Sequence, residues 1–116
     1  MVLFPRQTCP QHKHVGNSTH SGKEETFRCR KGKVYLYVSG EGYSEKIGGV
    51  FPNTTVDVFK EIILNEGEQY TLYPETWHWF QAGENGAVIS EFSTKSTDET
   101  DVFLDKRIAR TTVIEN

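Results

Sequence analysis

The sequence predicts an all-β fold closed as a small barrel or sandwich, and three observations carry that prediction. Short runs rich in β-branched and aromatic residues recur along the chain, clusters of Gly, Asn, Ser and Glu separate them, and helical periodicity is nearly absent. In chain order, the strand signals cover residues 25–30, 34–38, 56–64, 69–72, 77–81 and 87–93, with a further extended stretch at His12-Lys13-His14. Turn signals stand between them at Arg30-Lys31-Gly32-Lys33, Ser39-Gly40-Glu41-Gly42, Asn65-Glu66-Gly67 and residues 82–86. Residues 15–22, rich in Gly, Asn, Ser and Thr, read as a loop outside the sheet.

At 116 residues with 35% apolar content, the chain reads as a single domain, 1–116, with a modest core. The net charge of −3 is spread with both signs interspersed. No basic face points to nucleic acid and no polybasic stretch points to a membrane surface, so a small polar ligand is the expected partner. No apolar run approaches the ~18 residues of a spanning helix. The first ten residues lack the apolar core of a secretory signal, and a cytoplasmic location is expected. In a reducing compartment Cys9 and Cys29 are expected as packed thiols, not as a disulfide.

The chemistry gathers around His12 and His14. Residues two apart on a strand face the same side, so this pair can hold one ion while Lys13 faces away. Glu25 stands six residues before Gly32, and His78 follows Gly67, Pro74 and Trp77. Three imidazoles and a carboxylate suit Mn, Fe, Co, Ni or Zn, and no thiolate cluster suggests a closed structural zinc site. Glu24 is the rival to Glu25 but falls on the opposite strand face, and His20 reads as a solvated loop histidine. On the last strand Ile89, Glu91 and Ser93 share a face, so an inward Glu91 would be a second carboxylate near the ion; the competing reading is a solvated strand residue.

This order, H-x-H, then a Glu six residues before a glycine, then a late His after a Gly and Pro turn, resembles the cupin superfamily. The stretches Cys9-Pro10-Gln11-His12-Lys13-His14, Lys23-Glu24-Glu25-Thr26-Phe27-Arg28-Cys29, Gly67-Glu68-Gln69-Tyr70-Thr71-Leu72, Trp77-His78-Trp79-Phe80-Gln81-Ala82-Gly83 and Ser90-Glu91-Phe92-Ser93-Thr94 are similar to the D-lyxose ketol-isomerase family of cupins. The resemblance implies a cupin-type β-barrel (double-stranded β-helix, or jelly roll) and interconversion of an aldose and a ketose with a divalent metal, commonly manganese. By that resemblance His12, His14, Glu25 and His78 are the metal ligands.

Isomerisation needs a proton moved between adjacent carbons and charge stabilised on oxygen, so Glu91 is assigned as the base and Lys23 as a donor to a sugar oxygen. Trp77, Trp79 and Phe80 are candidate pocket walls, with core packing as the competing reading. Two other functions fit the same shell, a non-catalytic sugar-binding cupin and an Fe(II) cupin dioxygenase. Family members carry additional chain before the region matching Met1. The expectation is therefore a barrel with exposed sheet edges, completed by homodimerisation.

Overall fold

A computed structural model describes residues 1–15, 24–94 and 101–108. It contains seven strands: β1 (Val2–Leu3), β2 (Thr8–His14), β3 (Glu25–Val38), β4 (Lys60–Leu64), β5 (Gln69–Leu72), β6 (His78–Ser93) and β7 (Asp101–Phe103). Every strand pairing is antiparallel, and the described residues include no α-helix, only a 3-10 turn at Ser44–Lys46. The all-β expectation holds. Most of the loop expected at 15–22 lies outside the described residues.

The spine is the long β3–β6 ladder, running from Glu25–Ser93 at one end to Val38–His78 at the other. The free edge of β3 takes β5 along its first half and β4 along its second. The free edge of β6 takes β2 near its start and β1 further on, and β7 extends the sheet beyond β2.

The turns expected at 30–33 and 82–86 do not end their strands. Arg30 is an extra residue between the Cys29–Ile89 and Lys31–Val88 pairs, and residues 83–86 loop out opposite Lys33 alone. Both are interruptions of one ladder, and bulges bend a sheet without breaking it. Gly32 and Gly86 have φ of +83° and +81°. A Cβ on Gly32 would come within 2.3 Å of the Gly86 carbonyl oxygen, so the crossing of the two strands needs glycine. The turn chemistry in the sequence was real, but it serves a bend.

That bend lays the first half of β3 and the end of β6 over the second half of β3 and the start of β6. Phe27 and Phe80, from opposite halves, bring their rings to 4.9 Å. The core between the layers is built from Phe27, Cys29, Val34, Leu36, Val38, Leu64, Leu72, Phe80, Ala82 and Ile89. Along β3 it is therefore Val34, Leu36 and Val38 that face inward, while Tyr35 and Tyr37 take the outer face. Cys9 and Cys29 are both thiols.

On that outer face, residues 48–59 lie as a strap held by side chains. Trp79 Nε1 donates to the Val58 carbonyl at 2.8 Å, Asp57 N donates to Gln11 Oε1 at 2.8 Å, and Gly49 N donates to the Tyr37 hydroxyl at 2.9 Å. Gln81 holds Val50 from both sides, accepting from its N and donating to its carbonyl, each at 2.9 Å. The strand expected over 56–64 accordingly begins only at Lys60. The Asp57 N–H and the Val58 carbonyl find their partners in side chains rather than in a ladder.

Candidate metal centre

The H-x-H pair sits at the end of β2, where alternation turns both imidazoles into the space between the layers; each residue is 4% exposed. Lys13, between them, points the other way, with Nζ 4.8 Å from the centre of the Trp77 ring. His78 opens β6 and pairs directly with His12 across the β2–β6 ladder. It is fully buried. The three rings lie 4.3–5.3 Å apart, centroid to centroid.

Each imidazole is fixed from behind. His12 Nδ1 lies 2.8 Å from the Pro10 carbonyl oxygen and His78 Nδ1 2.9 Å from that of Thr76, while His14 Nδ1 meets Asp101 Oδ1 at 2.6 Å. A carbonyl or carboxylate partner requires the proton on Nδ1, which leaves the Nε2 lone pair to face the interior. Nε2 of His14 and of His78 are buried with no hydrogen-bond partner. One ligand atom from each of the three histidines falls within 4.8 Å of the others.

Glu25, at the start of β3 in the opposite layer, closes the set. Its Oε1 is 3.4 Å from His14 Nε2 and 3.9 Å from His78 Nε2, and the residue is 4% exposed. Glu24, its rival in the sequence, is exposed.

The electrostatics suit a cation. Burial, reinforced by the charges of His12 and His14, pushes the His78 imidazole down to about 3, and burial lowers His12 as well. His14 moves the other way: burial opposes protonation, but the adjacent Glu25 and Asp101 carboxylates outweigh it. Orphaned imidazole nitrogens around a buried carboxylate match the donor set of a first-row divalent ion.

The centre opens into a cavity of about 320 Å³. Phe27 and Phe80 form part of its wall, and Glu91 lines it together with His12, His14 and Glu25. Glu91 pairs in register with Phe27 and so shares its face, although the residue is exposed to solvent. Trp77 is not brought to this cavity and packs against Lys13 instead. Trp79 faces the strap. Lys23 and His20 lie outside the described residues. Asp101 is the group that sequence reading missed; its only local signal is a short run, residues 101–103, that pairs with β2 and sets Asp101 opposite His14.

A family model described as D-lyxose isomerase matches residues 1–116. A D-lyxose/D-mannose isomerase of Thermosediminibacter oceani is 55% identical over 119 residues, covering 100% of this chain and 65% of the relative. A D-lyxose ketol-isomerase of Cohnella laeviribosi is 51% identical, covering 99% and 64%. The chain thus spans just under two-thirds of the length of these relatives. Among solved structures, Cellulomonas parahominis L-ribose isomerase without ligand superposes with a TM-score of 0.66 at 15% identity, over 91% of this chain and 56% of that one. Geodermatophilus obscurus L-ribose isomerase gives 0.63 at 17% identity, over 89% and 55%. At such identities the likeness is one of fold.

Proposed function

The chain belongs to the D-lyxose isomerase family, and from that premise we propose that it is a metal-dependent aldose–ketose isomerase acting on D-lyxose or on a similar sugar such as D-mannose. The observation that carries the reading is the convergence of His12, His14 and His78 with buried Glu25 at the wall of a cavity that Glu91 also lines. These four residues would hold the cation, with manganese the first choice. A divalent ion there supplies polarisation of the sugar carbonyl and neutralises charge developing on oxygen.

The protein's own groups do the rest. The Glu91 carboxylate takes the proton from the carbon beside the carbonyl as the carbonyl oxygen gains one, giving an enediol; the neighbouring hydroxyl then gives up its proton as Glu91 returns its own to the former carbonyl carbon, with no net redox change. Phe27 and Phe80 form the apolar part of the wall beside that carboxylate. Lys23, two residues before Glu25, is assigned to donate to a sugar oxygen. The protein works in the cytoplasm as a homodimer; the dimer reading is supported by exposed apolar side chains, Val2 on β1 and Phe92 on β6, 70% and 54% exposed.

Conversion of D-lyxose to its ketose, with D-mannose in parallel, tests this reading. Turnover is expected with added manganese and not with chelator, and Glu91→Gln should lower kcat by roughly 10²–10⁴-fold with metal content unchanged. Sugar binding by metal-loaded protein without turnover would instead indicate a binding module, and oxygen consumption an Fe(II) dioxygenase.

A further inference from the structure

Two apolar side chains in the lining of the metal-site cavity belong neither to the metal shell nor to the core. Phe27 and Phe80 are 2% exposed and part of the core between the layers. Phe103 and Ile108 are only half-buried, lie outside that core, and come from one short segment, the end of β7 and the turn after it.

The strand register holds Phe103 in place. It pairs with His12 across the β2–β7 ladder as Asp101 pairs with His14, so these side chains share one face of the sheet. The Phe103 ring lies 5.5 Å from the His12 imidazole, centroid to centroid. Ile108 is set by the turn that follows, in which Leu104 N donates to the Gln11 carbonyl at 3.0 Å and Ile108 N to the Asp105 carbonyl at 3.1 Å. Asp105, 5% exposed, fixes that turn to the strap. It accepts from Thr55 N at 3.1 Å and from Arg107 Nη2 at 2.6 Å, and Arg107 donates in turn to the Asn53 carbonyl.

The cation donors and Glu91 bear on the two carbons that exchange a proton, and those carbons are alike in aldoses of any length. D-mannose repeats every stereocentre of D-lyxose and adds one carbon with its hydroxyl. Recognition of chain length therefore falls to lining residues that neither hold the ion nor move the proton. We propose that Phe103 and Ile108 form the wall against which the carbon tail of the sugar packs, and that they set the preference between a five-carbon and a six-carbon aldose. The proposal rests on the isomerase reading. Full-size side chains there leave the added carbon against apolar surface that offers its hydroxyl no hydrogen bond.

Kinetics and calorimetric binding of D-lyxose and D-mannose by the manganese-loaded full chain test it. Ile108→Ala and Phe103→Leu are each expected to raise the ratio of kcat/KM for D-mannose to that for D-lyxose by about tenfold. The affinity ratio from calorimetry should shift in the same direction, with metal content as in the parent protein. Ratios within about twofold of the parent in both variants, well below the roughly tenfold a single methylene can command, overturn the proposal. Should Phe103→Leu fail to fold, an unchanged ratio in Ile108→Ala is enough to overturn it. Absence of turnover by the parent protein on both sugars overturns the isomerase reading instead, and the calorimetric ratios then decide the proposal on their own.

Discussion

At His14 the ring nitrogen turned away from the cavity meets Asp101 Oδ1 at 2.6 Å. A carboxylate in that position fixes the tautomer and makes the opposite nitrogen a better donor to a cation. Asp101→Asn should therefore weaken metal affinity by about 10–100-fold, read by calorimetric titration, while the fold stays intact by circular dichroism. The His12 and His14 pair was legible in the sequence because strand alternation is a local rule, and Glu25 through its spacing to Gly32 and the family resemblance. Asp101 was not, since 87 residues separate it from His14 and only β2–β7 pairing brings the two together. The histidines also set a pH dependence for the metal-free protein. His78, held at about 3 in the fold against 6.5 when unfolded, leaves the unfolded chain with more bound protons between those values, so stability falls as pH drops through that window. His12 acts in the same direction. His14, raised, acts oppositely: it adds stability below 6.5 that is lost as pH rises through its folded value. Asp105, held down chiefly by its hydrogen bonds to Arg107, loses its contribution only below its ordinary 3.8. Melting of the chelated protein from pH 7 to 4.5 should show a falling Tm, with a shallower slope in His78→Gln.

The β3–β6 ladder is the element on which sequence and structure part most clearly. Glycine and charge at 30–33 and 82–86 carry the composition of turns, and only long-range pairing decides whether such residues reverse a chain or bend it. The pairs Gly32–Ala87 and Val34–Ala82 show a bend. Gly32→Ala should destabilise the protein by more than ~1 kcal/mol, where an unstrained glycine-to-alanine change would stabilise it, because it adds both a positive-φ penalty and a contact at 2.3 Å with backbone. Denaturant melting measures it; a loss under about 0.5 kcal/mol, the range of an ordinary surface change, would show that the crossing can relax. The strap teaches the complementary lesson. Val56 to Phe59 has strand composition, yet the buried side chains of Gln11 and Trp79 take the Asp57 N–H and the Val58 carbonyl. Composition reports what a segment tolerates; the partner across from it decides what it forms.

For the whole molecule, the strands of the described residues end in edges at β4, β5, β1 and β7, and exposed Val2, on β1, and Phe92, on β6, lie on the outward side. Edges and apolar faces of that kind favour association with a second sheet. Light scattering should give twice the 13.3 kDa chain mass; a stable monomer at micromolar concentration would remove the homodimer. The all-β class was readable from recurrent strand signals. The folding of one half of the ladder over the other was not, because it depends on where two bulges face each other. The same layout has a consequence for synthesis. His12 and His14 leave the ribosome first, yet Asp101 follows 87 residues later, roughly 4–17 s at ordinary elongation rates. During that interval the nascent H-x-H pair is a bare chelator, open to whatever ion the surroundings offer. If these residues hold the cation as proposed, an ion taken up early meets its full set of donors only once Glu25 and His78 have followed.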